Sequence, residues 1–196
     1  MAKYKILLQF LLIVTAAAVL FGVGAGYLIQ FEPPLAFIVA VVSGCLVAML
    51  GFGFIRTSSV RHYGFFVFAA VLSGLVWTAS RHYTAYRLYK TEVALVNSES
   101  MAKFSELTHR EQEAVMVMSN YTDEQKMSTY RLLEMYEASR SFRDFLSWKS
   151  EQPLEIVVSR QGGAWKLGPL GAKIYYVVEL FCVMGLCVWT WRRKFL

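Results

Sequence analysis

The sequence predicts an all-α integral membrane protein: four transmembrane helices, with a mainly helical extramembrane domain between the third and the fourth. Three observations predict it. Hydrophobic residues make up 56% of the 196-residue chain and charged residues 17%, whereas soluble domains sit near ~45–50% and ~25%. The apolar residues gather in four long runs. The cations that no acid accompanies fall at the ends of those runs. This composition argues against a soluble enzyme, a disordered chain and a disulfide-stapled mini-protein.

The first three runs make up a segment 1–80. They are Ile6–Ile29, Leu35–Ile55 and Tyr63–Ser80. The fourth, Ile174–Trp191, opens a segment 174–196 that ends in a basic tail. A helix crossing the hydrocarbon core needs about 20 apolar residues, within a range of about 17–25, and all four runs qualify. Lys3 and Lys5 precede the first run as they would in a signal peptide. That run exceeds the ~7–15 residues of a signal core, so it reads as an anchor.

Outside residues 81–173 the cations are Lys3, Lys5, Arg56, Arg61, Arg192, Arg193 and Lys194. With four spans these all fall on one side, and the opposite short loop carries only Glu32. The positive-inside rule puts both termini in the cytoplasm and residues 81–173 outside. The expected location is the bacterial cytoplasmic (inner) membrane. The net charge of +6 is therefore an orientation signal, and no nucleic-acid partner is expected.

Arg61-His62-Tyr63 recurs as Arg81-His82-Tyr83. Twenty residues at ~1.5 Å each separate the two by about 30 Å, the hydrocarbon thickness. One shared metal or haem site is thereby opposed, and both tripeptides read as interfacial anchors. Small residues at spacings of four form ridges for close helix packing: Gly22 and Gly26, then Ala40, Gly44 and Ala48, then Ala70 and Gly74. Span four has bulky Phe181, Met184 and Trp189 and reads as facing lipid or a partner. Cys45, Cys182 and Cys187 lie inside spans, without metal-ligand spacing.

Glu179 is the acidic residue inside a span, a costly placement that makes it a functional candidate. Its structural alternative is pairing with Gln30, Arg81 or His82.

The apolar spacing of Tyr86, Tyr89, Val93 and Val96 predicts that the third helix runs on to about residue 96. Thr108 with Glu111, and Thr122 with Gln125, read as capping boxes opening two helices. The first carries Ala114, Val115 and Met118. The second is expected to reach about Lys149, with Met127, Tyr130, Leu133, Tyr136, Phe142 and Phe145 inward. Residues 155–160 and 164–167, around Gln161-Gly-Gly163, read as a short β-hairpin. His109 with Glu111 and Glu113 reads as a solvated helix face.

Four spans with the large loop before the last resemble the layout of tetraspanins. The loop lacks cysteine and hence the Cys-Cys-Gly motif, so the resemblance implies layout alone. Leu107 to Glu113 is similar to the opening of the recognition domain of LuxR-type regulators, but the turn and recognition helix are missing, and the capping box accounts for the segment.

With no nucleophile–base pair, phosphate loop or metal cluster, the expected function is non-enzymatic. The chain reads as a membrane subunit, accessory or assembly factor of a larger complex. No cofactor, metal or catalytic residue is expected. Expected partners are the lipid bilayer and other membrane subunits, or further copies of the chain. The alternatives are a sensor whose outer domain takes a ligand or stress cue, and a transporter or membrane enzyme centred on Glu179.

Overall fold

In a computed structural model of the chain, residues 2–28, 33–57, 63–95, 98–152, 154–157 and 164–192 are described. The framework is helical. Four helices are long and apolar enough to cross a membrane: α1 (Ala2–Leu28), α2 (Pro33–Thr57), α3 (Tyr63–Leu95) and α8 (Pro169–Arg192). Proline opens α2 and α8, where a first-turn N–H has no helical acceptor and its loss costs nothing. No Gly or Pro interrupts α3 after Gly74, and the helix continues past the apolar run.

The chain divides into two compact units, Met1–Ala85 with Ser150–Leu196, and Tyr86–Lys149. Residues 150–173, expected with the outer domain, thus group with the spans. Among them Leu154–Val157 (β1) and Ala164–Leu167 (β2) pair antiparallel, Leu154 opposite Leu167 and Val157 opposite Ala164. The expected turn Gln161-Gly-Gly163 lies outside the described residues, as do Arg61 and His62, so what is described is a strand pair without its connection.

In the first unit α1 packs on α2 and α3, while α8 packs on α2 and α3. Phe10 ties one end together. Its ring lies 6.0 Å from Phe54 of α2, 5.2 Å from Phe66 of α3 and 5.2 Å from Trp191 of α8. Aromatic pairs at such spacings add about 0.5–1.5 kcal/mol beyond area burial.

The small-residue ridges are used inside the chain. A Cβ on Gly26 would sit 2.5 Å from Thr84 Cβ and 2.8 Å from the Arg81 carbonyl. Gly22 abuts α3 one turn away, and Gly44 and Gly74 abut α8. Ala40, Ala48 and Ala70 are buried. Gly51, outside the predicted ridges, lies flat under the Trp191 indole, whose Nε1 donates to the Ala48 carbonyl at 2.9 Å. Span four has two faces: the one bearing Phe181 and Trp189 is exposed, as expected of a helix facing lipid or a partner, and the other is buried in the bundle. Glu179, Val183, Cys187 and Trp191 follow one another at spacings of four and are all buried.

The second unit holds the end of α3 together with α4 (Ser98–Ser105), α5 (His109–Met118), α6 (Asp123–Arg140) and α7 (Phe142–Glu151). Both capping boxes form. The expected long helix is broken at Ser141, an extended residue whose hydroxyl accepts from the Asp144 N–H at 3.1 Å and restarts the chain as α7. Tyr86, Val93, Met116, Leu133, Ala138 and Phe145 are buried. Tyr86 and Tyr89 donate to the carbonyls of Ser139 and Met135 at 3.2 and 3.0 Å. Met127 is exposed, contrary to expectation, and so are Ala114, Val115 and Met118. Gln112 and Met116 form the inner face of α5 instead. The Gln112 amide is held by the carbonyls of Phe104 and Leu107, which lets a polar residue occupy the core.

Two outcomes follow from this packing. Gly26→Ala is expected to cost roughly 1–3 kcal/mol, as overpacking does, whereas Gly24→Ala, whose Cβ meets nothing within 4 Å, is expected to cost nothing. Thermal denaturation in a fixed detergent compares them, and equal melting would refute the α1–α3 contact. The second concerns Glu111, whose carboxyl is held below its ordinary value by the backbone N–H and the hydroxyl of Thr108. That support is complete above the unfolded value near ~4.3 and is lost as pH falls through the lower folded one. The protection of amides in the first turn of α5, taken as exchange corrected for its intrinsic pH dependence, should fall over that acid window and stay constant between pH ~6 and ~8.

Candidate functional site

The site is assembled from α3 and α8 of the first unit. Arg81 follows Trp77 by one helical turn, so both project from the same face of α3. Glu179 heads the buried stripe of α8. The helices approach closely here: the position of Gly74, two turns before Arg81, is filled by Leu180 and Met184 of α8. Across this contact the Arg81 guanidinium donates through Nη1 to Glu179 Oε2 in a buried ion pair. The two residues are 3% and 2% exposed.

The surroundings are aromatic. The Arg81 guanidinium carbon lies 5.4 Å over the Trp77 ring, a cation–π placement that strengthens where water is excluded. Arg81 also engages the Tyr175 side chain. The buried His82 ring stands edge-on to Tyr176 at 5.1 Å and 84°. Thr84, also buried, closes its hydroxyl on the Ser80 carbonyl at 2.9 Å.

The second oxygen of Glu179, Oε1, has no hydrogen-bond partner among the described residues, and neither do Trp77 Nε1 and Thr78 Oγ1. An ion pair in apolar surroundings is stable only when its remaining polar atoms are served. One of the pair's own oxygens and two polar atoms of α3 thus go unserved among the described residues.

Among the expected site residues, the structure brings Glu179 and Arg81 together, one of the three pairings the sequence allowed. Arg81 and His82 are buried among helices rather than exposed as anchors would be. Tyr63 and Tyr83 are half exposed. Trp77, Tyr175 and Tyr176 were not singled out for this site. A signal for Trp77 exists in its spacing of four from Arg81. His109 is exposed, 3.8 Å from Glu113 and stacked on Tyr130. The cysteines are free thiols. Among the described residues no group of three or more His, Cys, Asp or Glu could hold a metal ion. No family model, curated protein or solved structure matches this chain.

The arrangement makes a sharp energetic prediction. Glu179→Leu strands a buried guanidinium and should cost roughly 3–5 kcal/mol. Adding Arg81→Met should recover most of that loss, because an apolar pair of similar volume replaces the ion pair at little cost. Denaturation of the single and double variants in one detergent measures the recovery, and a double variant no better than the single would disprove a pairing role.

Proposed function

We propose that the chain is a non-enzymatic integral membrane subunit, accessory or assembly factor of a larger complex, docking through its helical unit. One observation carries the reading. The end of α5 and the turn after it expose Val117, Met118 and Tyr121 at 63, 82 and 40%, and Met127 on the second turn of α6 is exposed at 75%. Contiguous apolar groups on a surface are costly in water and mark contact sites.

The tip is built rather than frayed. Asn120 adopts a left-handed φ of 52°. The N–H groups of Ser119, Asn120 and Tyr121 return to the carbonyls of Val115, Val117 and Met116. The Thr122 box then restarts the chain. The residues near it in the chain carry both signs: Glu113, Asp123 and Glu124 with Lys126. A helix lying on a membrane would show a Lys/Arg-rich polar face. A Met-bearing apolar centre with both signs of charge near it in the chain fits a protein partner.

The small-residue ridges do not add to the docking surface, since the chain's own helices fill them. The ion pairing of Glu179 supports a structural role for it and weakens the transporter reading. The uncompensated cations at one set of span ends support both termini being cytoplasmic in a bacterial inner membrane, with the helical unit on the other side.

A photo-crosslinking amino acid at position 118 or 127 tests the docking role in native membranes. A discrete adduct is expected from each, and none from position 134, an exposed site on the same helix as Met127. Met118→Ser with Met127→Ser should abolish co-purification of the captured protein while leaving the melting of the chain unchanged. Irradiation that yields only monomer at both tip positions would exclude the proposal.

A further inference from the structure

Two clefts adjoin in the helical unit. One, of about 230 Å³, is lined by Glu92, Val93, Met101, Leu132 and Met135. The other, of about 300 Å³, is lined by Lys90, Ala94, Ser139 and Arg140. Val93 and Tyr136 line both. Together they fall within the ~300–1,000 Å³ of ligand sites.

The halves differ in chemistry. The first is walled by aliphatic and thioether side chains, and methionine adapts to the shape of what it covers. The second presents two cations and no carboxylate. Arg140 is positioned in advance: its guanidinium lies 5.5 Å over the Tyr136 ring and donates through Nη2 to Ser105 Oγ at 2.8 Å. A guanidinium has five N–H donors, so this leaves several for an acceptor. The Lys90 ammonium makes no ion pair among the described residues.

We propose that this double cleft binds a single-chain amphiphilic anion, its chain along Val93, Met101, Leu132 and Met135 and its carboxylate or phosphate head on Lys90 and Arg140. A neutral amphiphile leaves both cations uncompensated. A cationic one meets two like charges. A planar carboxylate or a phosphate accepts from arginine through two oxygens. A site of this kind goes beyond docking and gives the helical unit a ligand of its own.

The test uses the full chain in nanodiscs of zwitterionic lipid and dodecanoate carrying a terminal diazirine. Label is expected on Val93, Met101, Leu132 or Met135. Excess dodecanoate or dodecyl phosphate should displace it, and the stronger competitor identifies the head group. Dodecyltrimethylammonium should not. Lys90 and Arg140 are both exposed, so Lys90→Glu with Arg140→Glu should leave helicity intact. It should weaken labelling about tenfold, the effect of losing a charge-assisted hydrogen bond of roughly 1.4 kcal/mol. Met135→Trp, which fills the apolar half, should weaken it independently. Label confined to the four spans, equal displacement by the cationic amphiphile, or indifference to charge reversal would each overturn the proposal.

Discussion

Neither member of the Arg81–Glu179 pair is tolerable alone in the place where the fold puts it. A buried guanidinium or carboxylate without a counter-ion loses several kcal/mol of hydration. The pair therefore constrains everything around it. α3 and α8 must lie close enough for side chains to meet, and in one rotational setting. The small volume of Gly74 permits the approach, and the buried stripe from Glu179 to Trp191 continues it along α8. Fixing α8 against α3 also presents Val183 and Leu186 to Gly44, and Trp191 to Gly51, on α2. At the far end Phe10 closes the arrangement with rings from three other helices.

The spans were legible because hydrophobicity is a local property of the chain. A run of apolar residues long enough to cross a bilayer declares itself without reference to any other. The ridges at Gly22, Gly26 and Gly44 were legible as packing surfaces for the same reason. What they pack against was not. A row of small residues says that some helix comes near, and the choice among three neighbours depends on residues scores of positions away. Span four shows the same limit: Phe181 and Trp189 are exposed, as their bulk suggested, but nothing in the run announced that Trp191 is the knob that Gly51 receives. The repeated Arg-His-Tyr makes the same point. Identical tripeptides read identically, but the second meets Glu179.

The helical unit divides similarly. Both capping boxes could be read because each closes within four residues. Leu133, Tyr136 and Phe145 followed from spacing. Met127 did not, since an apolar residue near the start of a helix satisfies the periodicity without having anything above it. The core of α5 uses Gln112, a polar side chain that becomes an inside residue once two loop carbonyls receive its amide. The clefts around Tyr136 had no sequence signature either. They arise where α3, α4 and α6 fail to fill the space between them.

The ion pair joins residues 98 positions apart. A ribosome adding ~5–20 residues per second delivers Glu179 roughly 5–20 s after Arg81. During that interval the nascent chain holds a cation whose eventual counter-ion has yet to be made. Hydrocarbon gives it no resting place, so the waiting guanidinium must stay among water and phosphate headgroups. The anchoring role that its tripeptide suggests thus describes a stage in the life of the chain. The seam between α3 and α8 therefore cannot close on Arg81 until the last helix has been made.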